Sequence, residues 1–281
     1  MPPSFDFDTA CALSKGQRPY QEDAIITDFA RGAGVGLAVL SDGMGGHAAG
    51  DIASKIVVTE VFSELLFERH DDRDFEIGVR GTLHDAAMAA NTCLKHHMDV
   101  NPDTKGMGAT LVATVIIDTR LYWISIGDSP LFLFREGKLL QLNEDHSMAP
   151  QIDFMAKSGL MERDEAEAHP DRNTLTSVLF GAQIPKIDCP DDPVLLQDRD
   201  LLIVASDGLQ YLSDLQLEAT LKRNQFKSSS DIADTLMEEV MSLGDPDLDN
   251  VSFSIIKMRD TDRTGAKRNE ETASPGFRCV G

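Results

Sequence analysis

Two short apolar runs in this chain end in the same way. VLSDG at 39–43 returns as VASDG at 204–208, each closing a buried-strand pattern on a single carboxylate. ISIGD at 124–128 repeats the arrangement, and LDNVSFSII at 248–256 inverts it, with Asp249 just before the apolar residues. Strands buried side by side bring their ends together, so Asp42, Asp128, Asp207 and Asp249 are expected to meet at one edge. Clustered carboxylates do not ionise comfortably without a counter-charge. Oxygen ligands without His or Cys suit Mg²⁺ or Mn²⁺. Taken singly, each aspartate has the plainer reading of a turn former. The set, extended by the adjacent Glu22 and Asp23, favours a metal.

The first run continues through Gly43, Gly45 and Gly46, where glycine permits close backbone approach, into a helix expected over 48–67. GMGGHA at 43–48 imitates a dinucleotide-binding turn. Asp42 would then face a pyrophosphate, and no second parallel strand follows, so that reading is set aside. Asp245, Asp247 and Asp249 imitate an EF-hand loop but lack its glycine and its final glutamate. Neither Cys-x5-Arg nor GxSxG occurs, which removes the obvious covalent hydrolases.

Residues 9–29 read as two strands around a turn at 16–19. A charged loop at 71–74 precedes a helix over 75–98, whose His84, His96 and His97 read as solvated or half-packed. Hairpins are expected at 110–126 and 131–142, with Trp123 in the core, then short helices at 143–159 and 162–168. A strand over 201–205, a helix carrying Ile232, Leu236 and Val240, and a strand over 251–258 follow. Hairpins at the start, middle and end with helical pairs between them argue for α+β: mostly antiparallel sheets with segregated helices in one domain over 1–258. The polar stretch at about 144–181 reads as a mobile flap, and 259–281 as a disordered tail.

The 281 residues carry 47 acidic and 26 basic side chains, a formal charge of -21. That charge repels phosphate backbones and anionic lipid, arguing against nucleic-acid and membrane partners. Four scattered cysteines without a CxxC pair read as reduced thiols of a cytoplasmic protein. Neither a secretory signal nor a membrane-spanning run is apparent.

In order and spacing, RPYQEDA (18–24), SDGMGGHAAGD (41–51), GMGATLVA (106–113), IGDSP (126–130), SDGL (206–209) and DNVSF (249–253) resemble the metal-dependent protein phosphatases of the protein phosphatase 2C type, in a bacterial form. The resemblance implies an α-β-β-α sandwich with two Mn²⁺ or Mg²⁺ ions at one end, and hydrolysis of phosphoserine and phosphothreonine. By position it implies that Asp42 bridges the metals with the Gly43 carbonyl as a further ligand, that Asp207 and Asp249 complete one site, and that Glu22, supported by Asp23, serves the other. Asp128 resembles a ligand of a weaker third metal, which Asp171 or His169 in the flap could approach. Arg18 matches the phosphate-clamping arginine; its bland alternative is a surface arginine paired to Glu22. Two positions depart from the pattern. Met44 stands where many eukaryotic relatives have a histidine proposed as general acid, leaving metal-bound water or His47 to protonate the leaving group. Pro130 replaces an arginine. The expected partners are phosphoserine and phosphothreonine proteins, opposite a bacterial Ser/Thr kinase, and the expected state is a monomer. The alternative is a phosphoprotein-binding module of the same fold with weak or no catalysis.

Overall fold

Stretches of several strands in this chain are apolar at consecutive positions because both their faces are covered. The computed structural model describes residues 5–30, 34–46, 49–69 and 72–260. Along β3 (Val35–Met44), Leu37 and Val39 pack toward helices, while Ala38 and Leu40 pack toward a second sheet. Along β10 (Leu201–Ala205), Leu201 and Ile203 face one layer and Leu202 and Val204 the other. A strand buried on both sides loses the apolar–polar alternation of a half-exposed one.

The remaining strands are β1 (Phe5–Ser14), β2 (Asp23–Asp28), β4 (Gly108–Ala109), β5 (Leu111–Ile117), β6 (Arg120–Ile126), β7 (Leu131–Arg135), β8 (Lys138–Gln141), β9 (Val194–Leu195) and β11 (Val251–Asp260). The helices are α1 (Ala49–Glu68), α2 (Asp72–Val100), α3 (Ala149–Lys157), α4 (Arg163–Glu167), α5 (Asp214–Asn224) and α6 (Ser229–Ser242). One sheet runs β1-β11-β10-β7-β8 and the other β2-β3-β5-β6-β9, with β4 on the end of β3. Every pairing is antiparallel. α1 and α2 cover one outer face, α5 and α6 the other, and a third core of Leu40, Val112, Trp123 and Ile256 lies between the sheets. This is the expected α-β-β-α sandwich.

Both middle hairpins form as expected, and their turns put Asp118, Glu136 and Gly137 at positive φ. The first pair of strands does not form a hairpin. β1 pairs with β11, and β2 pairs with β3 in the opposite sheet. The cause lies in residues 15–22, which cross over the start of β11. Gly16 (φ +56°) leaves no room for a Cβ against the carbonyls of Leu248 and Asp249, and the Gln17 N–H donates to Leu248 O at 2.9 Å. Asn250 then holds the crossing chain, donating to Lys15 O (3.0 Å) and Tyr20 O (2.9 Å) and accepting from the Glu22 N–H (2.6 Å).

Other boundaries also move. α2 begins at Asp72, inside the expected charged loop, and α3 begins at Ala149 because residues 146–148 bond to 174–176 instead. α5 had no counterpart in the sequence reading. Its signal was the Ser213–Gln216 capping box ahead of Leu217 and Leu221. β11 takes in residues 259 and 260 of the expected tail; 261–281 lie outside the described residues, as does His47.

Candidate metal centre

The crossing at 15–22 determines what the site contains, because it carries Glu22 and Asp23 onto the ends of the other apolar strands. Asp23, first on β2, lies directly across from Asp42 on β3. Like charges in such a pair repel. Asp207 opens a 3-10 turn (Asp207–Tyr211) after β10, Asp249 precedes β11, and Asp128 follows β6. Asp42 is held through its backbone and Asp23 through its side chain. The Asp42 N–H donates to Thr110 Oγ1 at 2.9 Å, and Asp42 O accepts from the Thr110 N–H at 2.8 Å. Ser206 donates to Asp23 Oδ2 at 2.8 Å and accepts from the Ser252 N–H at 3.0 Å. Close approach of main chain to main chain does the rest. A Cβ on Gly43 would lie 2.7 Å from Glu22 O, and one on Gly50 would lie 2.5 Å from Glu22 Oε1 and 2.7 Å from Gly43 O.

The electrostatics are those of crowded, buried acids. Burial, then the charges of Asp23, Asp207, Asp128 and Asp249, push Asp42 well above the usual carboxylate range. Asp23 rises to about 7, first through burial and then through Asp207 and Asp249. Asp128 also rises to about 7, through burial and the charges of Asp207 and Asp145. Asp207 rises to about 6 through burial and Asp249, and Glu22 is raised chiefly by burial. Arg18 is the cation that pairs with this cluster, its Nη2 donating to Asp249 Oδ2 at 2.6 Å, while Arg172 at the adjoining pocket pairs with Asp153. The partner of Arg18 is therefore Asp249, not Glu22.

Among the described residues, no three His, Cys, Asp or Glu side chains already stand as a metal-holding group. Arg18 engages Asp249 and Ser206 engages Asp23. Yet Glu22 Oε1, Asp23 Oδ1 and Asp207 Oδ1 are buried with no hydrogen-bond partner. Buried polar atoms are ordinarily satisfied, and three orphaned carboxylate oxygens at one strand edge are what a hard, oxygen-seeking cation would satisfy. The donor set fits Mg²⁺ or Mn²⁺.

One cleft is lined by Arg18, Glu22, Asp42, Gly43, Asp128, Asp207 and Asp249, so the structure brings these candidates together; Asp23 sits behind Asp42. Met44 also borders it, 41% exposed. Sequence reasoning missed Asn250, Thr110 and Ser206, which hold the carboxylates, and Asn173 and Leu175, which bring the flap to the rim. It also missed Asp145. That residue, not Asp171 or His169, is the flap acid whose charge presses on Asp128. Asp-His at 145–146, just after a hairpin, was the available signal. Pro130 leaves no gap in the local bonding, because Asn143 donates to Ser129 O and accepts from the Leu131 N–H.

The sequence profile of protein phosphatase 2C matches residues 15–250. The chain belongs to the protein phosphatase 2C family. It is 31% identical over 236 residues to the serine/threonine protein phosphatase PstP of Mycobacterium tuberculosis, covering 82% of this chain and 42% of PstP. The chain thus spans about two fifths of that relative's length. Protein phosphatase PhpP of Streptococcus pneumoniae is 30% identical over 250 residues, 88% of this chain and 96% of PhpP. The crystal structure of the PstP catalytic domain in complex with two manganese ions superposes with a TM-score of 0.71 at 26% identity, covering 91% of this chain and all of that one (100%).

Proposed function

We propose that this chain is a metal-dependent protein serine/threonine phosphatase that hydrolyses phosphoserine and phosphothreonine at a binuclear Mn²⁺ or Mg²⁺ centre. The observation that carries the proposal is the convergence of Glu22, Asp42, Asp128, Asp207 and Asp249 on one cleft, with buried carboxylate oxygens that no protein group satisfies. Membership of a family that includes PstP and PhpP supports it.

Asp42, the Gly43 carbonyl, Asp207, Asp249 and Glu22, with Asp23 behind them, are the groups we assign to the two cations, and Asp128 to a third, weaker one. Such a pair of cations supplies an acidified water as nucleophile and neutralises charge on the phosphate. The residues themselves orient and bind. Arg18, half exposed at the cleft mouth, can turn its fork from Asp249 to the phosphate oxygens. A cation held by Asp249 would offset the negative charge that holds the guanidinium and so free Arg18 for the phosphate. Met44 has no proton to donate, which leaves water or His47 to protonate the leaving alkoxide. The segment at 144–181 borders the cleft through Asn173 and Leu175, where a substrate's flanking residues would pass.

PstP, named as a serine/threonine protein phosphatase, supports a place opposite a Ser/Thr kinase. We assign a cytoplasmic monomer. The free thiols of Cys11, Cys93 and Cys189 agree with a reducing compartment, and no helix among the described residues is long and apolar enough to cross a membrane. The test is turnover of a phosphothreonine peptide with Mn²⁺ and with chelator. Turnover that needs Mn²⁺ and is abolished by Asp207→Asn is expected. Phosphopeptide binding without turnover at saturating Mn²⁺ would establish a binding module instead.

A further inference from the structure

The turn that carries Asp128 is held on both sides by residues with no part in the proposed chemistry. Ahead of it, Gly127 (φ +108°) is wedged against Thr110, just before β5, where a Cβ would lie 2.6 Å from Thr110 Cγ2. His146 grips the same residue twice. The Gly127 N–H donates to His146 Nδ1 at 3.2 Å, and the His146 N–H donates to Gly127 O at 3.0 Å. Beyond Asp128, Asn143 donates to Ser129 O at 2.9 Å, and Ser129 Oγ shares a 2.8 Å hydrogen bond with Thr110 Oγ1. The His146 side chain is 1% exposed.

An imidazole nitrogen that accepts from an amide carries no proton, so the neutral ring holds its hydrogen on Nε2. That atom is buried without a hydrogen-bond partner, and Glu144 Oε2 lies 3.9 Å away. Both faces of the residue are therefore committed to geometry: the ring and the N–H to Gly127, the carbonyl to the flap. The Thr176 N–H and Oγ1 both donate to His146 O at 2.7 Å, and the Met148 N–H donates to Thr174 O at 3.0 Å. One buried residue, through its ring and its main chain, thus joins the residue before Asp128 to the point where the two ends of the flap meet.

We infer that His146 is a positioning residue: its grip on Gly127, together with the Thr176 bonds to its carbonyl, sets the direction in which Asp128 enters the metal centre and ties that direction to the base of the flap. The inference rests on the proposed assignment of Asp128 to a metal. A histidine that merely filled space would act on stability alone. A partner one shell out from a ligand, when removed, typically weakens metal affinity about 10–100-fold.

Mn²⁺ binding to the full chain, followed through the electron paramagnetic resonance of the free ion, separates the two. His146→Phe keeps a ring but has no acceptor for Gly127, and should weaken the weakest binding event about tenfold, the low end of that range. His146→Asn offers Oδ1 to the same N–H and should restore it. Asp128→Asn should remove that event, and adding His146→Phe to it should change nothing further in Mn²⁺ binding. A His146→Phe titration equal to the parent's overturns the inference, as does an equal weakening in the Asp128→Asn background. Should His146→Phe fail to fold, hydrogen exchange of the Gly127 amide in the unaltered protein still decides. Slow exchange supports the clamp, and free exchange in the folded protein refutes it. Absence of Mn²⁺ uptake by the unaltered protein overturns the metal centre itself, and with it this role for His146.

Discussion

Replacing Gly43 by alanine perturbs the centre without touching a charge. The new methyl would lie 2.5 Å from the carbonyl carbon of Gly50 and 2.7 Å from the carbonyl oxygen of Glu22. Both obstacles are backbone, so no side chain can rotate away. Ordinary carbon–carbon contacts begin near about 3.5 Å, so the end of β3 and the first turn of α1 must separate by about 1 Å. Overpacking of this kind costs about 1–3 kcal/mol, and two rigid obstacles place Gly43→Ala near the upper figure. A loss of about 3 kcal/mol in a domain of this size lowers Tm by roughly 6–12 °C. The same displacement moves the Gly43 carbonyl and Glu22 away from Asp42, and a misplacement of about 1 Å costs about 10²-fold in rate. Thermal melts in chelator and Mn²⁺-dependent turnover of a phosphothreonine peptide measure the two effects. Gly46→Ala is the control: a Cβ there meets nothing within 4 Å among the described residues, and its stability should stay within about 0.5 kcal/mol of the parent. If Gly43→Ala melts and turns over like the parent, the close approach of β3 and α1 is wrong, and so is the placement of Glu22 beside Asp42.

Free Mn²⁺ at about 100 times its Kd should stabilise the folded chain by about 2.7 kcal/mol, and chelator should reverse the effect. Asp42→Asn should lose that response yet melt higher than the parent in chelator, because an amide no longer faces Asp23, Asp207 and Asp128; equal melting of the parent with and without Mn²⁺ refutes this. Arg18→Ala should raise KM for the phosphopeptide roughly tenfold, the lower part of what a charged hydrogen bond contributes. Arg18→Lys should restore it only in part, for want of a fork, and Mn²⁺ affinity should not fall, since Asp249 loses its competing partner. Away from the site, Glu76 accepts from Arg120 and Tyr122, and although burial opposes it, those bonds hold its carboxyl below the usual 4.5. The stability it contributes is present above pH 4.5 and lost as pH falls through the lowered folded value. Glu76→Gln should therefore cost about 1 kcal/mol at pH 7, with urea curves converging in acid; a gap that persists in acid excludes the ion pair as its source.

Much of this architecture is carried by local pattern. Runs such as Leu37–Leu40 and Leu201–Ala205 are apolar at every position because layers cover them on both sides, and that is visible without coordinates. The turn glycines and the aspartates that close or open these runs are equally local, so the acids at 42, 128, 207 and 249 could be singled out from order and spacing. The capping box of α5 was legible too, but Leu217 and Leu221 made too thin an apolar stripe to draw attention to it. Partnership between distant segments left no such trace. β1 and β2 look like a hairpin, and only the passage of residues 15–22 over β11 sends them to opposite sheets and delivers Glu22 and Asp23 to the other carboxylates. Arg18 on Asp249, Asn250 holding the crossing chain and His146 holding Gly127 are likewise contacts across 231, 228–235 and 19 positions of sequence. Periodicity records which face of an element is buried, because burial acts on each residue where it stands. Which ends meet, and which side chain then holds a carboxylate in place, depends on how the layers close on one another, and that was decided only in three dimensions.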